Sequence, residues 1–294
     1  VELDETFTVT IDNIQSTGLS ATILSQISFS DDEAIGTIEN DDESVISISG
    51  VTVNESVGTA DFTIDLSNDT QDAFTINFAT SNAGTAVGDA LAGSDYTAVT
   101  RTDAGANAIT IGGGTTTQTV SIPISTDGIT EPTESFIGTI DNIIDAQSQD
   151  VIFNGGGTSA QAEITITDDD QARIAIDDVS VNEGDGTATF SVSLTGSIQD
   201  EVTFNYASDD VSTTANEDYD EVSGNMSFSA GASNTSKTIV VTINENTVAE
   251  PTETYHIDLS ALTKSDDADV AFSDNQGLGT ITDNDEVKIT LHAF

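Results

Sequence analysis

Val181-Asn182-Glu183-Gly184-Asp185-Gly186-Thr187-Ala188-Thr189-Phe190-Ser191-Val192-Ser193-Leu194 holds the signal that decides the fold. From Thr187 onward the apolar residues Ala188, Phe190, Val192 and Leu194 alternate with Thr and Ser, the period-two pattern of a half-buried strand. The glycine-bearing segment before it reads as a turn. The same order occurs earlier in the chain. Val53-Asn54-Glu55 leads through Gly58-Thr59-Ala60 into Phe62-Thr63-Ile64-Asp65-Leu66. Two ordered copies of strand, turn and strand indicate an internally repeated architecture.

Two further markers keep step with the first. Acidic triplets follow a Thr-Ile-x strand end at Asn40-Asp41-Asp42, Asp168-Asp169-Asp170 and Asp283-Asn284-Asp285, starting at residues 40, 168 and 283, that is 128 and 115 residues apart. Glu2-x-x-Glu5-x-Phe7, Glu131-Pro132-Thr133-Glu134-x-Phe136 and Glu250-Pro251-Thr252-Glu253-x-Tyr255 form the other series. The layout expected from them is the C-terminal part of one unit (1–42), two complete units (43–170 and 171–285) and the first strand of a following unit (286–294). Val1-Glu2-Leu3-Asp4-Glu5 opens in mid-pattern, as in a segment of a longer chain.

In the third unit, alternating runs at 187–194, 201–207, 226–228, 236–243, 254–259 and 277–282 follow an opening strand near 173–181. Seven short strands separated by turn signals predict an all-β fold: tandem seven-stranded antiparallel β-sandwiches joined end to end. No window carries sustained 3.6-residue spacing with a cap, so almost no helix is expected. The stretch 81–93 and the glycine runs 112–114 and 155–157 lengthen loops of the second unit. Pro123 inside a regular strand predicts an edge or a bulge there.

Across 294 residues there are 52 acidic and 5 basic side chains, a formal charge of -47. Five cations cannot form the Lys/Arg surface that displaces counterions from nucleic acid, so nucleic acid and anionic membrane surfaces are excluded as partners. Such a charge with few aromatics is also the usual signature of disorder. Here 36% hydrophobic content, only 3 Pro and the alternation of Val, Ile, Phe and Leu with Thr, Ser and Asn mark a sheet former instead. No Cys is present, which removes disulfides and thiolate metal sites. No run of 18 apolar residues exists, so direct membrane insertion by a helix is not expected.

Scattered carboxylates such as Asp72, Glu201 and Glu221 need no explanation beyond solubility. The repeated clusters do, because they recur at fixed strand ends. Two like charges about 4 Å apart cost on the order of 1 kcal/mol in water and several times that in a partly desolvated loop. A hard divalent cation removes that repulsion, and calcium takes 6 to 8 oxygen ligands from carboxylates, carbonyls and water. In the second unit Asp127, Glu131 and Glu134 lie on a turn into a strand and Asp168, Asp169 and Asp170 at the end of the last strand. Both sets can project from one end of the sandwich, where Glu55 and Asp95 can complete the cluster.

The order Asn-Glu-x-x-Gly-Thr-Ala-x-Phe, then Asp-Tyr (Asp95-Tyr96, Asp218-Tyr219), then Glu-x-x-Glu-x-Phe/Tyr, then Gly-Thr-Ile-x-Asp-Asn-Asp resembles the Calx-beta repeat along the whole chain. Gly36-Thr37-Ile38 and Gly279-Thr280-Ile281 keep the Gly-Thr-Ile form, and Glu163-Ile164-Thr165-Ile166 departs from it. The resemblance implies a seven-stranded Ig-like sandwich with a calcium cluster in loops at one end, and Ca2+ as the bound cofactor. Carried over by position, it implies Glu55, Asp95, Asp127, Glu131, Glu134, Asp168, Asp169 and Asp170 as ligands in the second unit. In the third it implies Glu183, Asp218, Glu245, Glu250, Glu253, Asp283 and Asp285. Ile129 and Val248 are implied as main-chain carbonyl donors, and Glu2, Glu5, Asp41 and Asp42, with Asn40, as an incomplete first site. Asn246 stands in place of Asp127 and Asn284 in place of Asp169, so fewer or weaker ions are expected in the third unit.

Catalysis is not expected. His256 and His292 have neither a helical His partner nor a Cys for zinc, and no glycine-flanked nucleophile accompanies His256. Glu131 with Glu134 resembles a glycosidase pair, but a chain with no Trp and 4 Tyr offers little aromatic lining for a sugar cleft. Phe62, Phe74, Phe78, Phe136, Phe190, Phe204 and Phe228 are expected in the core. The function expected is that of a calcium-stiffened segment of a large extracellular, cell-surface adhesin of the gliding or biofilm type. Its partners are calcium ions and the neighbouring repeats, with any cell-surface, glycan or substratum ligand met by other regions. The alternatives are a calcium sensor regulating an attached transporter or receptor, and a glycan-binding module.

Overall fold

The computed structural model describes residues 1–294 except 13, 16–17, 83–87, 102–107, 145–148, 215–216, 266 and 291–294. Much of the predicted 81–93 insertion therefore lies outside the described residues. The chain is built almost wholly of strands. Its described helical segments are one turn at Ala21–Leu24 and two 3-10 turns, Glu55–Val57 and Glu183–Asp185. Among the described residues no helix is long and apolar enough to cross a membrane.

In the third unit one sheet contains Thr187–Ile198 flanked by Ala172–Ile176 and Ser233–Thr242, with Val270–Asp274 beyond Ala172–Ile176. The other sheet runs Val179–Asn182, Gln276–Thr282, Glu253–Thr263, Val202–Asp210, Ser223–Phe228. The expected opening strand near 173–181 is thus two strands, one in each sheet. The break falls at Asp177-Asp178, where Asp177 Oδ1 accepts from Ser191 N at 2.6 Å and Asp178 Oδ1 from Leu278 N at 2.7 Å. Each carboxylate satisfies a backbone amide of a different sheet at the crossing point. In the second unit the corresponding step is made at Gly50, whose missing Cβ would lie 1.8 Å from the Glu163 carbonyl oxygen.

Counting each split strand once gives seven strand lines per sandwich, as the patterning predicts. Two features differ from the expectation. Val270–Asp274 is a strand that the alternation did not mark. Moreover, both halves of the opening strand pair parallel to the closing one: Ala172–Ile176 with Val270–Asp274, and Val179–Asn182 with Gln276–Thr282. An Ig-like chain enters and leaves its sandwich in the same direction, and that forces the parallel contact inside an otherwise antiparallel fold. Residues 286–290 form no strand. Their counterparts, Ser44–Ser49 and Ala172–Ile176, are strands because flanking strands hold them on both sides.

Pro123 is the last residue of Thr117–Pro123, an edge strand, as expected. All seven predicted core phenylalanines are buried to within 1% exposure. They divide between two cores, one drawn from residues 46–166 and one from 172–281. Residues 1–42 contribute a two-stranded antiparallel ribbon, Glu5–Thr10 with Glu33–Ile38.

Phe190, fully buried, packs edge-on to Tyr255 with ring centroids 6.0 Å apart. Phe190→Ala is expected to destabilise the third unit by about 3–5 kcal/mol. Denaturant unfolding followed by hydrogen exchange should show the loss in residues 172–281, with the second core far less affected. Equal loss in both would mean that the two cores unfold as one.

Candidate metal centre

The Asn-Glu-x-x-Gly marker folds as a capped turn. Asn54 Oδ1 accepts from Ser56 N at 3.0 Å and Asn182 Oδ1 from Gly184 N at 3.1 Å, each starting a 3-10 turn. Gly58 (φ 74°) and Gly186 (φ 73°) end the turns in the left-handed region that glycine tolerates. The result points Glu55 and Glu183 inward, to 4% and 3% exposure. The Asp-Tyr marker is explained by stacking. Tyr96 lies on Phe136 with centroids 4.0 Å apart, and Tyr219 on Tyr255 at 4.4 Å. Because Phe136 and Tyr255 end the Glu-x-x-Glu-x-aromatic marker, this stacking brings Asp95 and Asp218 to the paired glutamates.

Each unit gathers two groups of three carboxylates, the chosen oxygens of each lying within 4.8 Å of one another. In the second unit these are Glu55, Asp168, Asp170 and Asp95, Glu131, Glu134; in the third they are Glu183, Asp283, Asp285 and Asp218, Glu250, Glu253. Glu55, Asp95, Glu131, Glu134 and Asp168 line one depression with Ser125 and Pro132. Glu183, Asp218, Glu250, Glu253 and Asp283 line its counterpart with Asn244 and Pro251.

Burial, then mutual repulsion, pushes these acids up. Glu55 rises to about 7, with Asp168 the strongest charged neighbour. Glu131 reaches about 8 beside Glu134 and Asp95. Glu134 rises to about 7 beside Asp95, and Glu253 to about 7 beside Asp218. Asp168 and Glu183 are also raised, chiefly by burial.

The donor set fits a hard cation. Buried oxygens of Glu55, Asp168 and Asp170 in one unit, and of Glu183 and Asp285 in the other, have no hydrogen-bond partner. Unsatisfied buried carboxylate oxygens are costly unless an ion meets them. An all-oxygen set without His or Cys matches calcium or magnesium, and a mostly protein-built cage favours calcium.

Not every predicted residue joins a group. Asp127 and Asp169 are exposed, and Asp127 Oδ1 accepts from Ile129 N at 2.8 Å. Both charges bear on Glu55 through space. Val248 N is held the same way by Asn246 Oδ1 at 2.6 Å, so Ile129 and Val248 flank the sites through their amides. Asn246 Nδ2 donates to Glu250 at 3.1 Å and Asn284 Nδ2 to Glu245 at 3.4 Å. Amide donors stand there where the second unit has Asp127, whose charge bears on Glu131, and Asp169, whose charge bears on Glu55. Among the described residues Glu2, Glu5, Asp41 and Asp42 form no three-carboxylate group; they are exposed, and Asn40 N instead bonds Asp4 at 2.9 Å.

Sequence reasoning missed Gln199. Its Nε2 crosses from the third unit to donate to Glu131 at 3.0 Å and Glu134 at 3.2 Å. The signal available was Gln71-Asp72, which recurs as Gln199-Asp200 at the 128-residue spacing of the first two triplets.

The Calx-beta domain model matches residues 39–170 and 169–285. The chain belongs to the Calx-beta family, whose domains are non-catalytic modules that bind Ca2+. Among solved structures, CBD12 from CALX1.2 is similar over 81% of this chain and 99% of its own, at 15% identity and a TM-score of 0.35. The apo form of the Calx CBD1 domain is similar over 40% of this chain and 100% of its own, at 20% identity and a TM-score of 0.36. No curated protein matches the chain.

The raised glutamates set a pH dependence. Between about pH 4.5 and 8 the ion-free folded chain keeps protons that the unfolded chain has released. Stability without calcium should therefore fall as pH rises through that window. Saturating calcium lowers these pKa values and should flatten the fall. Thermal melts from pH 4.5 to 8.5, in chelator and in calcium, test this; a chelator curve that rises with pH would contradict it.

Proposed function

We propose that this chain is a non-enzymatic structural segment of a large extracellular, cell-surface adhesin, in which calcium stiffens the junctions between repeats. The observation carrying this reading is the place where the units meet. Ile129–Thr130, immediately before Glu131, adds as a parallel strand to Thr187–Ile198 of the third unit. Gln199 N donates to Thr130 O at 3.1 Å. Thr130 and Pro132 also line a small depression with Ile198, Asp200, Val202, Lys264 and Val270. An ion at Asp95, Glu131 and Glu134 thus fixes a segment already built into the next sandwich.

The ligands proposed are the two groups of three in each unit, with Asp127, Asp169 and Glu245 as outer acids. Calcium bound only by the folded form, at a thousand times its dissociation constant, adds about 4 kcal/mol per site. Millimolar extracellular calcium keeps such oxygen-only sites filled. The acidic, cysteine-free composition suits that setting. Adhesion to a surface or glycan is assigned to other regions of the parent protein.

A second reading, a calcium sensor for an attached transporter or receptor, is favoured by one observation. The units are unequal, with Asn246 and Asn284 bonded to acids in the third. A calcium titration of the chain, followed by thermal stability and small-angle scattering, separates the two. The structural role predicts a rise in melting temperature and stiffening at millimolar calcium, both reduced in Asp168→Ala/Asp170→Ala. Saturation near micromolar calcium with a changed angle between units would favour the sensor. No response would remove the calcium function.

A further inference from the structure

We infer that Gln199 is a calcium ligand supplied by the third unit to the second unit's Asp95, Glu131 and Glu134 group, so that the ion is held by two consecutive repeats. The inference rests on the calcium-binding reading above and extends it to a residue outside the acidic set. The terminal nitrogen of Gln199 lies 3.0 Å from a Glu131 oxygen and 3.2 Å from a Glu134 oxygen. Calcium–oxygen bonds of about 2.3 to 2.6 Å place neighbouring ligand oxygens about 3 Å apart. The end of the carboxamide therefore stands at ligand spacing from two carboxylates. Turning the amide by half a revolution about its last side-chain bond exchanges nitrogen for oxygen at that point and moves no backbone. Without an ion the NH2 group bridges the two acids; with an ion the oxygen faces it.

The backbone of Gln199 is fixed for this task. Its N–H is held by Thr130 of the preceding unit, and Gly231 N donates to Ile198 O at 3.0 Å and Gln199 O at 3.2 Å. Gly231 has φ 76°, where a side chain would be strained. The preceding junction repeats the arrangement. Gln71 N donates to Val1 O at 2.9 Å, as Gln199 N does to Thr130 O. Gln71 Oε1 accepts from Leu3 N at 3.0 Å, which fixes the orientation of its carboxamide. Pro132 occupies the Leu3 position at the second junction and has no N–H to hold the oxygen of Gln199. Of the two glutamines, Gln199 lacks that backbone restraint on its carboxamide oxygen.

The test is calcium calorimetry on the whole 294-residue chain and on Gln199→Ala and Gln199→Glu, with NMR of the side-chain carboxamide carbon of Gln199. Loss of one ligand should weaken one class of sites by about tenfold or more in Gln199→Ala. Gln199→Glu should bind at least as tightly as the parent, because it returns an oxygen with added charge. A residue that only braced the junction would weaken binding in both variants. The carboxamide carbon should shift on calcium addition. Unchanged affinity in Gln199→Ala with an unmoved carboxamide carbon would overturn the inference and leave calcium binding intact. Absence of calcium uptake by the parent chain would overturn both.

Discussion

Carboxylates crowded at one end of each sandwich, partly shielded from water and, among the described residues, without a countercharge from the protein, are the constraint around which each unit is organised. Across the whole chain there are 5 basic residues, and the described ion pairs, Arg173 with Asp269 and Lys288 with Glu286, lie elsewhere. Burial raises the cost of each negative charge, and proximity multiplies it. The turns capped by Asn54 and Asn182, and the stacking of Tyr96 and Tyr219, hold the acids together despite that cost. Such rigidity is the signature of a site prepared for a cation rather than of a surface prepared for solubility.

The alternation in Thr187–Leu194 and Thr59–Leu66 made the sandwich legible, because a period of two leaves one consistent inner face. Glu55, Asp95, Glu131, Glu134, Asp168 and Asp170 were legible because they recur at strand ends. The splitting of the opening strand was not, since Asp177 and Asp178 are two acids among 52 and only three-dimensional pairing shows them satisfying opposite sheets. Gln199 was hidden for a related reason. An amide has no charge to stand out in an acidic chain, and its targets lie 65 and 68 residues earlier, across a junction.

The two units express one plan at different charge. Asn246 and Asn284 replace carboxylates with groups that donate to Glu250 and Glu245, which reduces repulsion in the third unit without an ion. The closing strands differ as well. Gly279 lies under the Tyr255 ring, where a Cβ would be 2.4 Å from ring carbon, and Ile164 faces Phe136 at the matching register. In the second unit the glycine has moved to position 138, against Phe62. There the ring and the glycine belong to different sheets, whereas Tyr255 and Gly279 are register partners within one sheet.

The parallel pairing of opening and closing strands has a mechanical meaning. Tension applied along the chain would enter the third unit at Ala172 and leave past Thr282. It would draw Ala172–Ile176 against Val270–Asp274, and Val179–Asn182 against Gln276–Thr282, in opposite directions along their length. The hydrogen bonds of each pair are then loaded together in shear, whereas a terminal hairpin would open one bond at a time. A sandwich loaded in this way resists extension at its ends, the place where a string of such units is pulled.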